Sequence, residues 1–240
     1  MKAVSHINSV DILTTDIETV RIVENFKDLS DEWKSAWSYK MKQDGETLSD
    51  EELAEKWTKM ASLYAEFSKV CAISLTYIKD GVLKCKNYSG LDEKEILSSF
   101  AKDLDKFYKF NRNYRLLGHA AKYFDYPFLA KRYIINGFDV PSMIDESASK
   151  PWEMRNVDTN ELWRSFGTGP GSSLQALCTT LGIPISKVDL VGDEVGKAYF
   201  EGQIDRISKY CSLDTIATFN VFRVFKKETI FSFEEVVYVN

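Results

Sequence analysis

Histidine is nearly missing from this 240-residue chain, with two copies, and cysteine is little commoner, with four. The cysteines (Cys71, Cys85, Cys178 and Cys211) form no Cys-x-x-Cys pair, and so few thiols and imidazoles argue against a structural zinc site. Their apolar neighbours point to buried free thiols. Long apolar runs are missing too, and none approaches the ~20 residues of a membrane span. The opening residues, Met1-Lys2-Ala3-Val4-Ser5-His6, lack the apolar stretch and cleavage site of a signal peptide. The expectation is a cytoplasmic protein with no membrane partner. Basic excess is also absent: a net charge of −5 and a pI near 5.3 argue against a protein that coats DNA by charge alone. An enzyme that meets nucleic acid through bound cations stays open. Finally, Gly167-Thr168-Gly169-Pro170-Gly171 lacks the Lys-Ser/Thr that completes a phosphate cradle, so it reads as a loop.

What is present is an ordinary globular composition, 44% hydrophobic and 28% charged. The length suits one large domain, and residues 1–240 are read as such. Val10 to Thr19 reads as a strand running into a loop. A polar, helical-looking insertion follows, about 21–69, in which Ser49-Asp50-Glu51-Glu52 has the form of a capping box. Leu53, Trp57, Met60, Tyr64 and Phe67 then recur at helical spacing as a core-facing stripe. Val70 to Tyr77 and Val82 to Tyr88 alternate around Asp80-Gly81, a hairpin signal. Ile96, Leu97, Phe100, Leu104 and Phe107 mark a helix, and Arg115 to His119 a short buried strand. Another helix starts near Asp125, with Pro127 in its first turn, and stops at Asn136-Gly137. Asn156 to Thr159 is a further short strand, and Ser173 to Leu181 a short helix closed by Gly182. A long final helix spans Ile204 to Phe222, and Phe231 to Val239 is a late strand. The order predicts an α/β fold with a mixed central sheet flanked by helices.

Five residues stand out for chemistry: Asp16, Glu18, Asp125, Tyr210 and Asp214. Asp16 and Glu18 are two apart on a strand and project to one face. Tyr210 and Asp214 are four apart on a helix, one turn above each other. Four carboxylates gathered in one place cannot all stay ionised without cations, and hard, oxygen-loving Mg²⁺ or Mn²⁺ answers that need.

These residues carry a resemblance. The chain resembles the DnaQ-like exonucleases of the ribonuclease H-like fold, in their tyrosine-type DEDD subclass. Within that subclass it looks most like stand-alone predicted 3′-5′ exonucleases related to the proofreading domain of family B DNA polymerases. Asp16-Ile17-Glu18 matches the first motif, and Gly118-His119-Ala120 through Phe124-Asp125 the second. Tyr210-Cys211-Ser212-Leu213-Asp214 matches the third. Phe128-Leu129-Ala130-Lys131-Arg132, Lys150-Pro151-Trp152-Glu153, Asp158 to Trp163 and Leu181-Gly182-Ile183-Pro184 add to the likeness. One position departs: Ala120 stands where the family usually has Asn, an amide thought to touch substrate or to hold a neighbouring loop.

The resemblance implies a two-metal 3′-5′ exonuclease, with two divalent ions ~3.5–4 Å apart gripping the scissile phosphate. Asp16 would bridge the ions, Glu18 and Asp214 would complete the water-activating site, and Asp125 would anchor the second ion. Tyr210 would orient the attacking water. The implied substrate is the 3′ end of single-stranded DNA, released as nucleoside 5′-monophosphates, with RNA as the alternative. A separate DNA polymerase or replication protein is the implied protein partner. The competing class is a catalytically weak binding or polymerase-recruiting module of the same fold. Asp158 reads as a supporting residue, with a fifth-ligand role as the alternative, and His119 as a core histidine. Tyr123, Phe124 and Trp163 are weighed as base-stacking rings against core. Lys122, Lys131, Arg132, Arg155 and Arg164 are weighed as phosphate contacts against plain surface.

Overall fold

The computed structural model describes residues 1–42, 48–150, 153–167, 169–185, 190 and 192–239. Pro151-Trp152 of the expected signature and Thr168 of the glycine-rich segment lie outside the described residues. Six strands form one mixed sheet: β1 (Ile12–Arg21), β2 (Ser68–Lys79), β3 (Val82–Ser89), β4 (Arg115–Gly118), β5 (Val157–Asp158) and β6 (Val237–Val239), in the order β5-β4-β1-β2-β3-β6. The meander β1-β2-β3 is antiparallel, whereas β4 runs parallel to β1, β5 to β4 and β6 to β3. Asp80 and Gly81 both take positive φ, 55° and 78°. That is the primed turn a two-residue hairpin needs to follow the twist of its strands. β1 is longer than expected. Asp16 and Glu18 lie inside it rather than where it meets a loop, because β2 continues to pair with it as far as Arg21.

Alternation along β1 sends its side chains to two different cores. Leu13 and Ile17 pack with α3 (Glu93–Phe110) and α4 (Asp125–Ile135) through Leu97, Phe100, Leu104 and Leu129. Ile12 faces the opposite way, joining Leu117 beneath α6 (Leu174–Leu181) and α8 (Ile204–Lys226). Asp16 and Glu18 share the parity of Ile12 and so face α8. The described helices cover both faces, as expected. None is long and apolar enough to cross a membrane.

Between β1 and β2 lie α1 (Asp31–Met41) and α2 (Asp50–Met60). Ser49 and Glu52 close the anticipated capping box. The aromatic stripe is core, but not one helix: α2 ends at Met60, and Tyr64 and Phe67 follow a 3-10 turn. Trp37 meets Trp57 and Phe67 edge-on at 5.2 and 5.1 Å, giving the insertion a core of its own. α1 itself buries only Trp37 and Met41, too short a stripe to stand out in the sequence. The late strand is also shorter than expected, three residues at the sheet edge.

Arg132 does not reach toward substrate phosphate. It is buried, and its guanidinium forks onto Glu93 at 2.8 and 2.5 Å and donates to the Ala65 carbonyl at 2.7 Å. Glu93 also accepts from the Val70 amide at 2.7 Å and from Asn136 at 2.9 Å. One ion pair thus ties the insertion's exit, β2, α3 and α4. Losing one partner strands a buried charge, at a cost of about 3–5 kcal/mol. Arg132→Ala should therefore lose about 3 kcal/mol or more in urea unfolding. A loss below about 1 kcal/mol would show that the pair carries little of this junction.

Candidate active site

β4 covers β1 only from Ile12 to Thr14. Beyond that point β1 runs on without a neighbour on that side, and the N-terminus of α4 enters the notch. The Asp125 carboxylate, on the first residue of α4, lies near its own amide and that of Ile17, both of which lower its pKa. These amides and the helix N-terminus favour its charge. From the other side α8 lays Tyr210 and Asp214 against the Asp16–Glu18 face. The structure thus brings all five expected residues together.

Their mutual repulsion is evident in their protonation. Asp16 is pushed well above the usual carboxylate range, by burial first and then by Asp125, Glu18 and Asp214. Burial, Asp214 and Asp125 do the same to Glu18. Asp125 is raised to about 7 and Asp214 to about 6, in both cases chiefly by burial. No lysine or arginine offsets the four acids among the described residues. The Tyr210 hydroxyl meets the Asp214 carboxylate, and burial with three neighbouring acids raises its pKa. A phenol so placed stays protonated at neutral pH. An all-oxygen cluster with no internal counter-ion has the donor chemistry of a hard divalent cation.

Cys211, expected to be one more inert thiol, is a neighbour of the cluster. It is fully buried, but its thiol donates to the Asp16 carbonyl at 3.3 Å. One ligand atom each from Asp16, Glu18 and Cys211 lie within 4.8 Å of one another. Its place beside Tyr210 in the third motif is the one sequence signal that points to it.

Asp158 has both carboxylate oxygens engaged by backbone amides. Its Oδ1 accepts from the amides of Ala120, Asn160 and Glu161 at 3.0, 2.9 and 3.1 Å. Its Oδ2 accepts from the Lys122 amide at 3.1 Å. One carboxylate therefore caps α5 (Thr159–Arg164) and pins the segment leading to Asp125. His119 is likewise satisfied, with Nε2 donating to the Ser172 carbonyl at 2.7 Å and Nδ1 facing the Thr159 hydroxyl at 2.9 Å. Burial lowers its pKa, so it is a neutral structural imidazole. Ala120 sits at φ 61°, in the left-handed region that Asn tolerates far better than Ala. Gly118 is required for space, since a Cβ there would lie 2.2 Å from that of Ala121.

Among the suggested contacts, Trp163 stacks on Phe225 at 6.3 Å and Phe124 packs on Phe128 at 5.4 Å. Lys122 is paired with Glu161 at 2.6 Å, and Arg155 donates to the Arg112 carbonyl at 2.5 Å. Tyr123, Lys131 and Arg164 remain exposed.

No curated protein matches the sequence. In structure the chain is similar to the family B DNA polymerase from the hyperthermophilic archaeon Pyrobaculum calidifontis, with a TM-score of 0.53 and 14% identity. The likeness covers 86% of this chain and 23% of the polymerase, so the chain spans under a quarter of that protein's length. It speaks for the ribonuclease H-like fold. Residues 62–234 match the family described as predicted 3′-5′ exonucleases related to the exonuclease domain of PolB, a range holding Asp125, Tyr210 and Asp214. The chain belongs to that family of predicted 3′-5′ exonucleases.

Proposed function

We propose that residues 1–240 form one exonuclease domain that hydrolyses the terminal phosphodiester at the 3′ end of single-stranded DNA. The observation that carries this reading is the convergence of Asp16, Glu18, Asp125 and Asp214, buried or half-buried side by side without a cationic side chain among the described residues. Those four carboxylates would hold two divalent ions, Mg²⁺ or Mn²⁺. When bound, the ions would supply Lewis acidity and an ionised water at neutral pH. The protein's own contribution is positional. Asp16 and Glu18 are fixed by a central strand, Asp214 by a helix packed across it, and Asp125 by the Ile17 amide. Tyr210 is too weak an acid to serve as a base, so its role is to hold the attacking water by hydrogen bonding beside Asp214.

Asp16→Ala and Asp214→Ala should each abolish Mg²⁺- or Mn²⁺-dependent mononucleotide release from a 3′-labelled single strand. Wild-type protein inert on DNA and RNA ends with either ion would favour the binding-module reading instead.

Tyr210→Phe removes one hydroxyl and keeps the ring. The rate should fall about tenfold or more, within the range of a lost positioned hydrogen bond, while Mn²⁺ affinity by calorimetry holds. An unchanged rate would remove the water-holding role.

The cluster also predicts how stability depends on pH. A carboxyl whose folded pKa is raised destabilises the fold fully above that pKa, and the penalty shrinks as pH falls below it, vanishing only below the pKa of the unfolded chain, near 3.8. Without divalent ions, Asp16→Asn should therefore be more stable than wild type at pH 8, by about 1 kcal/mol or more. The gap should narrow toward pH 5 and close only below the unfolded-state pKa near 3.8. Adding Mn²⁺ at pH 8 should reverse the order, because only the wild type keeps the full ligand set. Urea melts at the two pH values, with and without Mn²⁺, test this; equal stability in all four conditions would refute it.

A further inference from the structure

β1, β4 and β5 run parallel, with Thr14 beside Leu117 and Gly118 beside Asp158. The segments leaving β4 and β5 therefore emerge at one end of the sheet, level with Asp16. Ligands of open α/β sheets gather at such carboxyl ends. Here a cavity of about 270 Å³ is lined by Tyr123, Glu161, Arg164, Ser165, Gly167 and Gly169. Tyr123 stands two residues before Asp125 and is 66% exposed. Glu161 is neutralised by Lys122 at 2.6 Å. Arg164 makes no ion pair among the described residues, so the cavity's uncompensated charge is positive. A ring with a free face and an unpaired guanidinium beside it are the two elements that hold an unpaired nucleotide.

We infer that this cavity is a subsite for the strand 5′ to the cleaved nucleotide, with a base stacking on Tyr123 and a phosphate on Arg164. The inference takes its direction from the exonuclease reading of the neighbouring acids. It makes the ligand a single strand, since a paired base has no free face to offer, and it makes recognition tolerant of sequence, since every base has one. Trp163 has no part in it, because its ring is spent on Phe225.

The test is fluorescence anisotropy of a labelled twelve-residue oligodeoxythymidylate, with Ca²⁺ as the divalent ion, on the full chain and its variants. Tyr123→Ala should weaken binding about tenfold, in line with one lost base stack, and Tyr123→Phe should restore it. Arg164→Ala should lower the slope of log K against log salt by about 0.7, one phosphate contact on a single strand. Both side chains are exposed, so thermal melting should not move. Wild-type binding with unchanged affinity and salt slope in the variants would overturn the subsite, as would no binding by wild type. Strand shortening in Mg²⁺ or Mn²⁺ is read separately. If the variants bind weakly but no protein shortens the strand, the subsite stands and the exonuclease reading falls. If the variants bind as wild type does while every protein shortens the strand, the exonuclease reading stands and the subsite falls.

Discussion

Four carboxylates around one strand, Glu18 and Asp125 buried and Asp16 and Asp214 half-buried, are the constraint to which the rest of the structure is fitted. Two like charges about 4 Å apart repel by about 4 kcal/mol at an effective dielectric near 20. A whole domain is stable by only about 5–15 kcal/mol. Such a cluster persists only where the elements bearing it are held by something else, and here they are. β1 is paired along its length with β2. α8 buries Ile207, Ile216, Phe219 and Phe222 against the sheet. α4 is anchored at its far end by the buried Arg132–Glu93 pair, well removed from Asp125 in its first turn. On α4 the stabilising contact and the repelling one thus sit at opposite ends, while on β1 and α8 they lie side by side.

The unequal lengths of neighbouring strands create the site. β1 has ten residues and β4 four. Where β4 stops, the Asp125 carboxylate comes near the Ile17 amide, which lowers its pKa. The same interaction sets an acid beside Asp16. Cys211 does something comparable from α8, its thiol meeting the Asp16 carbonyl. Backbone groups of β1 thus take part in assembling the site.

Most of this is legible in the sequence where a short-range period carries it. The pair Asp16 and Glu18 follows the two-residue strand period, Tyr210 and Asp214 the helical turn, and Asp80-Gly81 the turn chemistry of a hairpin. What escapes depends on partners far along the chain. Arg132 looks like any surface cation until Glu93 folds against it, 39 residues away in sequence. Cys211 reads as an inert thiol until β1 places a carbonyl before it. The extent of β1 escapes for the same reason: where a strand ends is decided by its neighbour β2. α7 (Val195–Phe200) is six residues long, too short for a period to emerge.

The surroundings of Ala120 account for the loss of the usual amide there. Where the family usually carries Asn, an amide has two uses to offer, bracing the local loop or touching the substrate. In this chain the bracing is done by Asp158, whose carboxylate accepts the backbone amides of Ala120 and Lys122. Those bonds hold the segment whatever side chain stands at position 120. They also explain how an alanine can keep a φ of 61°, a conformation that costs it about 1–2 kcal/mol. One carboxylate accepting four amides supplies enough to hold that strain, at about 1 kcal/mol or more for each charge-assisted bond. The path to Asp125 is therefore fixed without the Asn, and the acids are unaffected by its loss. What the replacement removes is one polar amide from the turn that leads to Asp125.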